Sequence, residues 1–182
     1  MDDITQIVCA EDIAIKMRGD IHEMQEIVQF FQRGGALRML LGKDIRPELD
    51  MLFRYAKQLS EVGEYGAAAR LFKVLTIYDG WSFDYWFELG ACCQAEAAWV
   101  DAIYAYGRAA QIRVSAAIAP CAAGECYLAC GNHPLAIKAF RAALLVCGNG
   151  HDGEQIENME QADVRRRALA GLAKIGGEYE HE

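Results

Sequence analysis

The chain has 182 residues, enough for one compact domain, and a hydrophobic share of 53% that supplies ample material for a core. Eighteen Lys and Arg against 26 Asp and Glu give a net charge of −8, which repels a phosphate backbone and argues against nucleic acid as a direct partner. No stretch approaches the roughly 18 consecutive apolar residues of a membrane span, and the early acids Asp2, Asp3, Glu11, Asp12 and Asp20 are wrong for a secretory signal; a cytoplasmic protein without stable membrane association is expected.

Residues 1–19 mix these acids with Ile4, Ile7, Val8, Ile13 and Ile15 and read as a flexible arm with too little apolar material for a core of its own. From Asp20 to Arg33 the spacing of Ile21, Met24, Ile27, Val28 and Phe31 predicts a helix, with Asp20 suited to its N-cap and Gly34 and Gly35 ending it. A second short helix over 36–41 carries Leu37, Met39, Leu40 and Leu41, more apolar surface than a lone segment hides. The segment 20–48 must therefore pack on the rest of the chain or on a second copy.

Three windows of 34 residues follow without insertion, 49–82, 83–116 and 117–150. Trp86, Leu89, Gly90, Ala102, Tyr106 and Ala109 in the middle window fall where a tetratricopeptide unit has a large apolar residue, Leu, Gly, Ala, an aromatic and Ala. Gly124, Tyr127, Ala136, Phe140 and Ala143 repeat the pattern, and Ala56, Gly63, Tyr65, Ala68 and Phe72 stand in register with it. The small residues let the two helices of a hairpin approach closely while the aromatic fills the space beside them. The predicted fold is an all-α tetratricopeptide-repeat solenoid of three helical hairpins, with turns at 62–64, 96–98 and 131–133 and joints at 79–82, 113–116 and 148–150.

A final helix over 154–175 is expected to cover the open end of the last repeat, with Ile156, Met159, Leu169 and Leu172 on its apolar side and a frayed tail over 176–182. Its run Arg165, Arg166 and Arg167 reads as a solvated face rather than a basic binding patch.

Seven cysteines, Cys9, Cys92, Cys93, Cys121, Cys126, Cys130 and Cys147, are an odd number without the spacing of a disulfide scaffold, so reduced thiols are expected, most of them packed on the repeat helices. Cys126, Cys130 and His133 have the spacing of part of a metal site, but a fourth ligand is missing, and core packing is the better reading. No Gly-rich phosphate loop or nucleophile elbow stands out. Neither enzymatic activity nor a cofactor is expected.

Stacked hairpins curve, and the first helix of each pair lines the concave wall. The second, fifth, ninth and twelfth places of each window should face it, namely Asp50, Phe53, Lys57 and Ser60, then Asp84, Phe87, Ala91 and Gln94, then Ile118, Cys121, Glu125 and Leu128. That mixture suits an extended peptide with apolar anchors, whereas a clamp for a terminal carboxylate needs several Lys, Arg and Asn there. The alternative is that Phe53 and Phe87 belong to the core between helices.

Continuous phrases carry a more specific resemblance. Phe30 to Leu41 reads FFQRGGALRMLL, Tyr55 to Trp81 reads YAKQLSEVGEYGAAARLFKVLTIYDGW, and Phe87 to Ile112 reads FELGACCQAEAAWVDAIYAYGRAAQI. The third repeat has AAGECYLACGN at Ala122 to Asn132 and AIKAFRAALLVCG at Ala136 to Gly148. Over residues 20–150 the chain resembles the class II chaperones of type III secretion systems, and LTIYDGWSFDYWF at Leu75 to Phe87 is especially similar to the branch serving the intracellular-phase system of enteric pathogens.

The resemblance implies a chaperone that holds a hydrophobic, pore-forming translocator before export, with an extended client segment anchored by proline and leucine between Phe53, Phe87, Ala91, Cys121 and Leu128. It also implies a homodimer through the N-terminal helices, for which Ile27, Phe30, Phe31, Leu37 and Leu40 offer apolar surface. Lys57 and Ser60 depart from the aromatic residues that often line the first repeat of the family. A general adaptor between soluble partners is the alternative, and some relatives are also client-coupled partners of a transcription activator.

Overall fold

The computed structural model describes residues 46–148 and 159–179, together with Gln29 and Arg33, whose backbones share a helical hydrogen bond of 3.0 Å. The expected arm over 1–19 and the dimerisation residues Ile27, Phe30, Phe31, Leu37 and Leu40 lie outside the described residues. Among those described, seven helices and no strands are present: α1 Arg46–Glu61, α2 Tyr65–Tyr78, α3 Phe83–Ala95, α4 Trp99–Ile112, α5 Ile118–Ala129, α6 His133–Val146 and α7 Met159–Tyr179. They pair as hairpins α1 with α2, α3 with α4 and α5 with α6, each stacked on the next, and α7 closes the series against α5 and α6. The all-α tetratricopeptide solenoid with a C-terminal capping helix is the observed fold.

All three hairpin turns are built alike. Glu64 N–H donates to Leu59 O at 2.8 Å, Ala98 to Cys93 at 2.8 Å and Asn132 to Tyr127 at 2.9 Å, while Gly63, Ala97 and Gly131 donate three residues back. This is the Schellman closure, which satisfies the last carbonyls of the first helix and needs a left-handed residue just beyond it. Gly63 at φ +85°, Ala97 at φ +56° and Gly131 at φ +71° occupy that place. Ala97 is the residue among the three that has a Cβ to accommodate. The second helices start differently: Asn132 caps α6 by accepting from Leu135 N–H at 3.3 Å, with Pro134 in the first turn, whereas α2 and α4 have no side-chain cap.

The small residues seen in the repeat explain the packing. A Cβ built on Gly90 would stand 2.8 Å from the Tyr106 ring, and one on Gly124 would stand 2.7 Å from the Phe140 ring. Phe72, Tyr106 and Phe140, one per hairpin, are buried against Ala56, Gly90 and Gly124 at the matching place of each first helix. Gly171 of α7 approaches Phe140 from the other side, closely enough that no side chain fits there. Phe140 is thus held between two glycines, and α7 caps the last repeat by the same aromatic-on-glycine packing that builds it.

The joint between the first two hairpins is fixed by polar contacts. Asp79 Oδ1 accepts from Trp81 N–H at 3.0 Å, Trp86 Nε1 donates to Gly80 O at 2.9 Å, and Ser82 caps α3 by accepting from Tyr85 N–H at 3.4 Å. The second hairpin therefore starts in a set orientation to the first, whereas α5 has no side-chain cap.

Candidate functional site: the wall of first helices

Side chains bridge the first helices at a regular spacing. Lys57 Nζ on α1 meets Glu88 Oε1 on α3 at 2.6 Å, and Gln94 Nε2 on α3 donates to Glu125 Oε2 on α5 at 3.5 Å. Both pairs are 31 residues apart, one repeat less one helical turn, so neighbouring first helices are staggered by about a turn. Ser60 Oγ on α1 also accepts from Cys92 Sγ on α3 at 3.7 Å, across 32 residues. The expected wall residues Lys57, Ser60, Gln94 and Glu125 thus all take part in cross-helix contacts.

The pairing continues onto α7. Arg167 Nε and Nη2 donate to Glu125 Oε1 and Oε2, both at 2.8 Å, and Tyr106 Oη donates to Gln94 Oε1 at 2.7 Å. A connected run therefore leads from Tyr106 through Gln94 and Glu125 to Arg167. The hydrogen bonds from Glu125 hold the Arg167 guanidinium charged more firmly than an ordinary arginine, against the opposing effect of burial. Burial, helped by Cys126 and Glu125, pushes the Tyr106 hydroxyl above its usual range and keeps it a donor. Here the reading of Arg165, Arg166 and Arg167 as a solvated face is corrected. Arg166 is exposed and pairs with Asp163, but Arg165 donates to Gly148 O at 2.8 Å and Arg167 is two-thirds buried on Glu125.

The apolar wall residues divide into two kinds. Phe53 packs edge-on against Phe72 at 5.8 Å and lies 5.4 Å from Tyr85; Phe87 stacks on Phe83 at 5.5 Å and touches Tyr106 at 5.4 Å. Both are half-buried and packed against the core, so each serves the core while leaving part of its ring at the surface. Cys121, at the same place of the third repeat, is fully buried, with its Sγ toward Val164 O of α7 at 3.7 Å. It presents no surface to a ligand. Ala91, Ile118 and Leu128 are half-buried, and Asp84 is exposed with Arg113 3.8 Å away.

A cleft of about 640 Å³ opens where α5 faces α7, lined by Glu125, Leu128 and Ala129 on one side and Arg167, Ala170, Gly171 and Lys174 on the other, with Phe140 at its base. Glu88, Gly171 and Lys174 have no role in the sequence-based expectation, and Arg167 has there only a solvated one. The 31-residue offset of opposite charges at Lys57 and Glu88 was a readable signal, whereas nothing in the sequence says which of three consecutive arginines turns inward.

The cysteines match a packing role. The six described are free, and Cys92, Cys93, Cys121 and Cys126 are buried; burial pushes the Cys126 thiol up to about 12 and that of Cys121 up to about 11. Cys126 is buried while Cys130 is exposed one turn on, so the two do not converge on one point, and no group of three or more metal-ligating side chains occurs among the described residues. Nor is any described helix long and apolar enough to cross a membrane.

No protein-family model matches the chain. It is 29% identical over 164 residues to the low calcium response locus protein H of Yersinia pestis, covering 90% of this chain and 94% of that protein. Its fold matches a chain in the crystal structure of a type III secretion complex from Aeromonas hydrophila, with a TM-score of 0.73 and 26% identity over 87% of this chain and 99% of that one. It also matches the translocator chaperone SycD of Yersinia enterocolitica, with a TM-score of 0.65 and 25% identity over 77% and 98% of the two chains. SycD has been solved with a peptide of the translocator YopD as well, and that chain matches with a TM-score of 0.66 and 24% identity over 75% and 99%. In sequence over nine-tenths of the chain, and in fold over the repeats and their cap, this protein is therefore similar to the low calcium response locus protein H and to translocator chaperones of type III secretion.

Proposed function

We propose that this protein is a cytoplasmic chaperone of a type III secretion system that holds an extended segment of a hydrophobic translocator against its wall of first helices and so keeps the translocator soluble until export. The observation that carries this is the wall itself: half-open apolar side chains, Phe53, Phe87, Ala91, Ile118 and Leu128, set between cross-helix polar pairs at Lys57 and Glu88 and at Gln94 and Glu125. An extended peptide offers alternate side chains to such a surface. Its prolines lower the entropy lost on docking, and the polar pairs accept or donate to its backbone. The work is binding alone: covering apolar client surface competes with aggregation by mass action, with no catalytic step.

Two finer readings belong with it. The phrase LTIYDGWSFDYWF favours the intracellular-phase branch, and the apolar residues Ile27, Phe30, Phe31, Leu37 and Leu40 favour a homodimer through the N-terminal segment. Sedimentation at micromolar concentration showing only a 20.2 kDa species would count against the dimer.

The test is co-expression with the candidate translocator. Phe87 packs on Phe83 and Tyr106, so Phe87→Glu disturbs the core as well as the wall; Ala91→Arg places a large charge on the wall with less risk to the fold. A translocator that is soluble with the wild-type chain and insoluble with a folded Ala91→Arg chain establishes the reading. Equal solubility with both assigns the client to another surface.

A further inference from the structure

The cleft between α5 and α7 is continuous with the wall. Glu125 and Leu128, at the ninth and twelfth places of the third repeat, line both. On the far side stand Arg167, Ala170, Gly171 and Lys174, which at steps of three and four residues share one face of α7. The helix thus stands where the first helix of a fourth hairpin would stand. Its face on the cleft sets two cations at the rim of a chain with net charge −8, with Ala170 exposed between them and Gly171 packed onto Phe140 beneath. One of them, Arg167, spends its charge on the two oxygens of Glu125. Lys174, exposed one turn beyond Gly171, leaves the cleft locally positive at its open end.

We infer that α7 adds a further subsite to the groove, taking an apolar side chain of the client between Ala170 and Leu128 and an acidic residue beside it at Lys174. The occupant is the continuation of the same extended client segment, which runs past the third repeat rather than ending at it. This rests on the proposed chaperone reading and extends it. The cleft of about 640 Å³ beside Ala170 has room for a Leu- or Met-sized group, and Lys174 is a mobile point charge suited to a carboxylate at the edge of a pocket.

A photo-crosslinking residue placed in the full chain at Ala170, at Lys57 on the wall, and at the exposed Val100 of α4 as a control, tests this in the complex with the co-expressed translocator. The expected result is crosslinking from positions 57 and 170 to one client segment and none from position 100. Lys174→Glu should then weaken the purified complex about three- to tenfold, with Lys174→Arg near wild type and the circular dichroism of both unchanged. Crosslinks from 57 without any from 170 overturn the subsite and leave the chaperone reading standing; none from either removes the reading itself. Crosslinks from 170 to residues 176–182 of the chain, or to a second copy, also overturn it, as does a Lys174→Glu complex of unaltered affinity.

Discussion

Arg167 and Glu125, 42 residues apart, meet as a two-pronged ion pair with both N–O distances at 2.8 Å and about two-thirds of each side chain withdrawn from solvent. The pair ties the capping helix to the last first helix, and through Gln94 to the hairpin before it. Charge-assisted bidentate bonds of this kind are stronger than neutral ones, and leaving one partner behind costs more than the pair itself contributes. Arg167→Ala should therefore destabilise the chain by about 1–2 kcal/mol. In urea titrations of the two single variants and the double variant with Glu125→Gln, the double variant should lose less than the sum. Additive losses would show that the pair does not hold α7.

Ala97 stands at φ +56°, where Gly63 and Gly131 serve the equivalent turns. A Cβ in the left-handed region costs roughly 1–2 kcal/mol, and glycine removes that cost at the expense of some chain entropy in the unfolded state. Ala97→Gly should raise stability by about 0.5–1 kcal/mol. Gly63→Ala and Gly131→Ala should each lower it by about 1 kcal/mol; nothing lies within 4 Å of a Cβ at either position, so the loss is one of backbone conformation alone. Thermal melts of the three variants read this directly.

Gly124 faces the Phe140 ring at a distance that admits no Cβ. Gly124→Ala should cost about 1–3 kcal/mol through forced separation of α5 and α6, and Phe140→Leu, itself destabilising, should recover part of that loss when combined with it. Independent losses in the double variant would mean the two residues do not share the contact.

Burial raises the thiol pKa of Cys126 from 9.0 to about 12 and that of Cys121 from 9.0 to about 11. The folded chain keeps these protons where the unfolded chain releases them, so the stability they support is complete below pH 9 and is lost as the pH climbs through the folded values. Melting temperature should fall between pH 9 and 11, and Cys126→Ala should flatten that fall. In the native chain a disulfide reagent should modify the exposed Cys130 quickly, but reach Cys92, Cys93, Cys121 and Cys126 only with denaturant. Rapid native modification of Cys126 would contradict its burial.

The repeat was legible because its determinants are local and recur every 34 residues: glycine, alanine and an aromatic at set places state how close two helices of a hairpin come, and Gly63 and Gly131 mark where the chain reverses. Periodicity also indicates which side of each first helix faces outward, which is why Lys57, Ala91, Gln94 and Glu125 were legible as one surface. What it does not contain is the registry between units. That Lys57 meets Glu88 depends on how α1 sits beside α3, and that Cys121 is closed over by α7 and Arg167 rather than its two neighbours turns inward depends on the approach of α7, packed at Gly171 on Phe140. Sequence alone determined the solenoid, because hairpin packing is a matter of side-chain size at fixed spacing. Only the tertiary structure decided which charges pair and where the wall ends, because partners 31 or 42 residues apart are joined by the geometry of the stack and not by the chain between them.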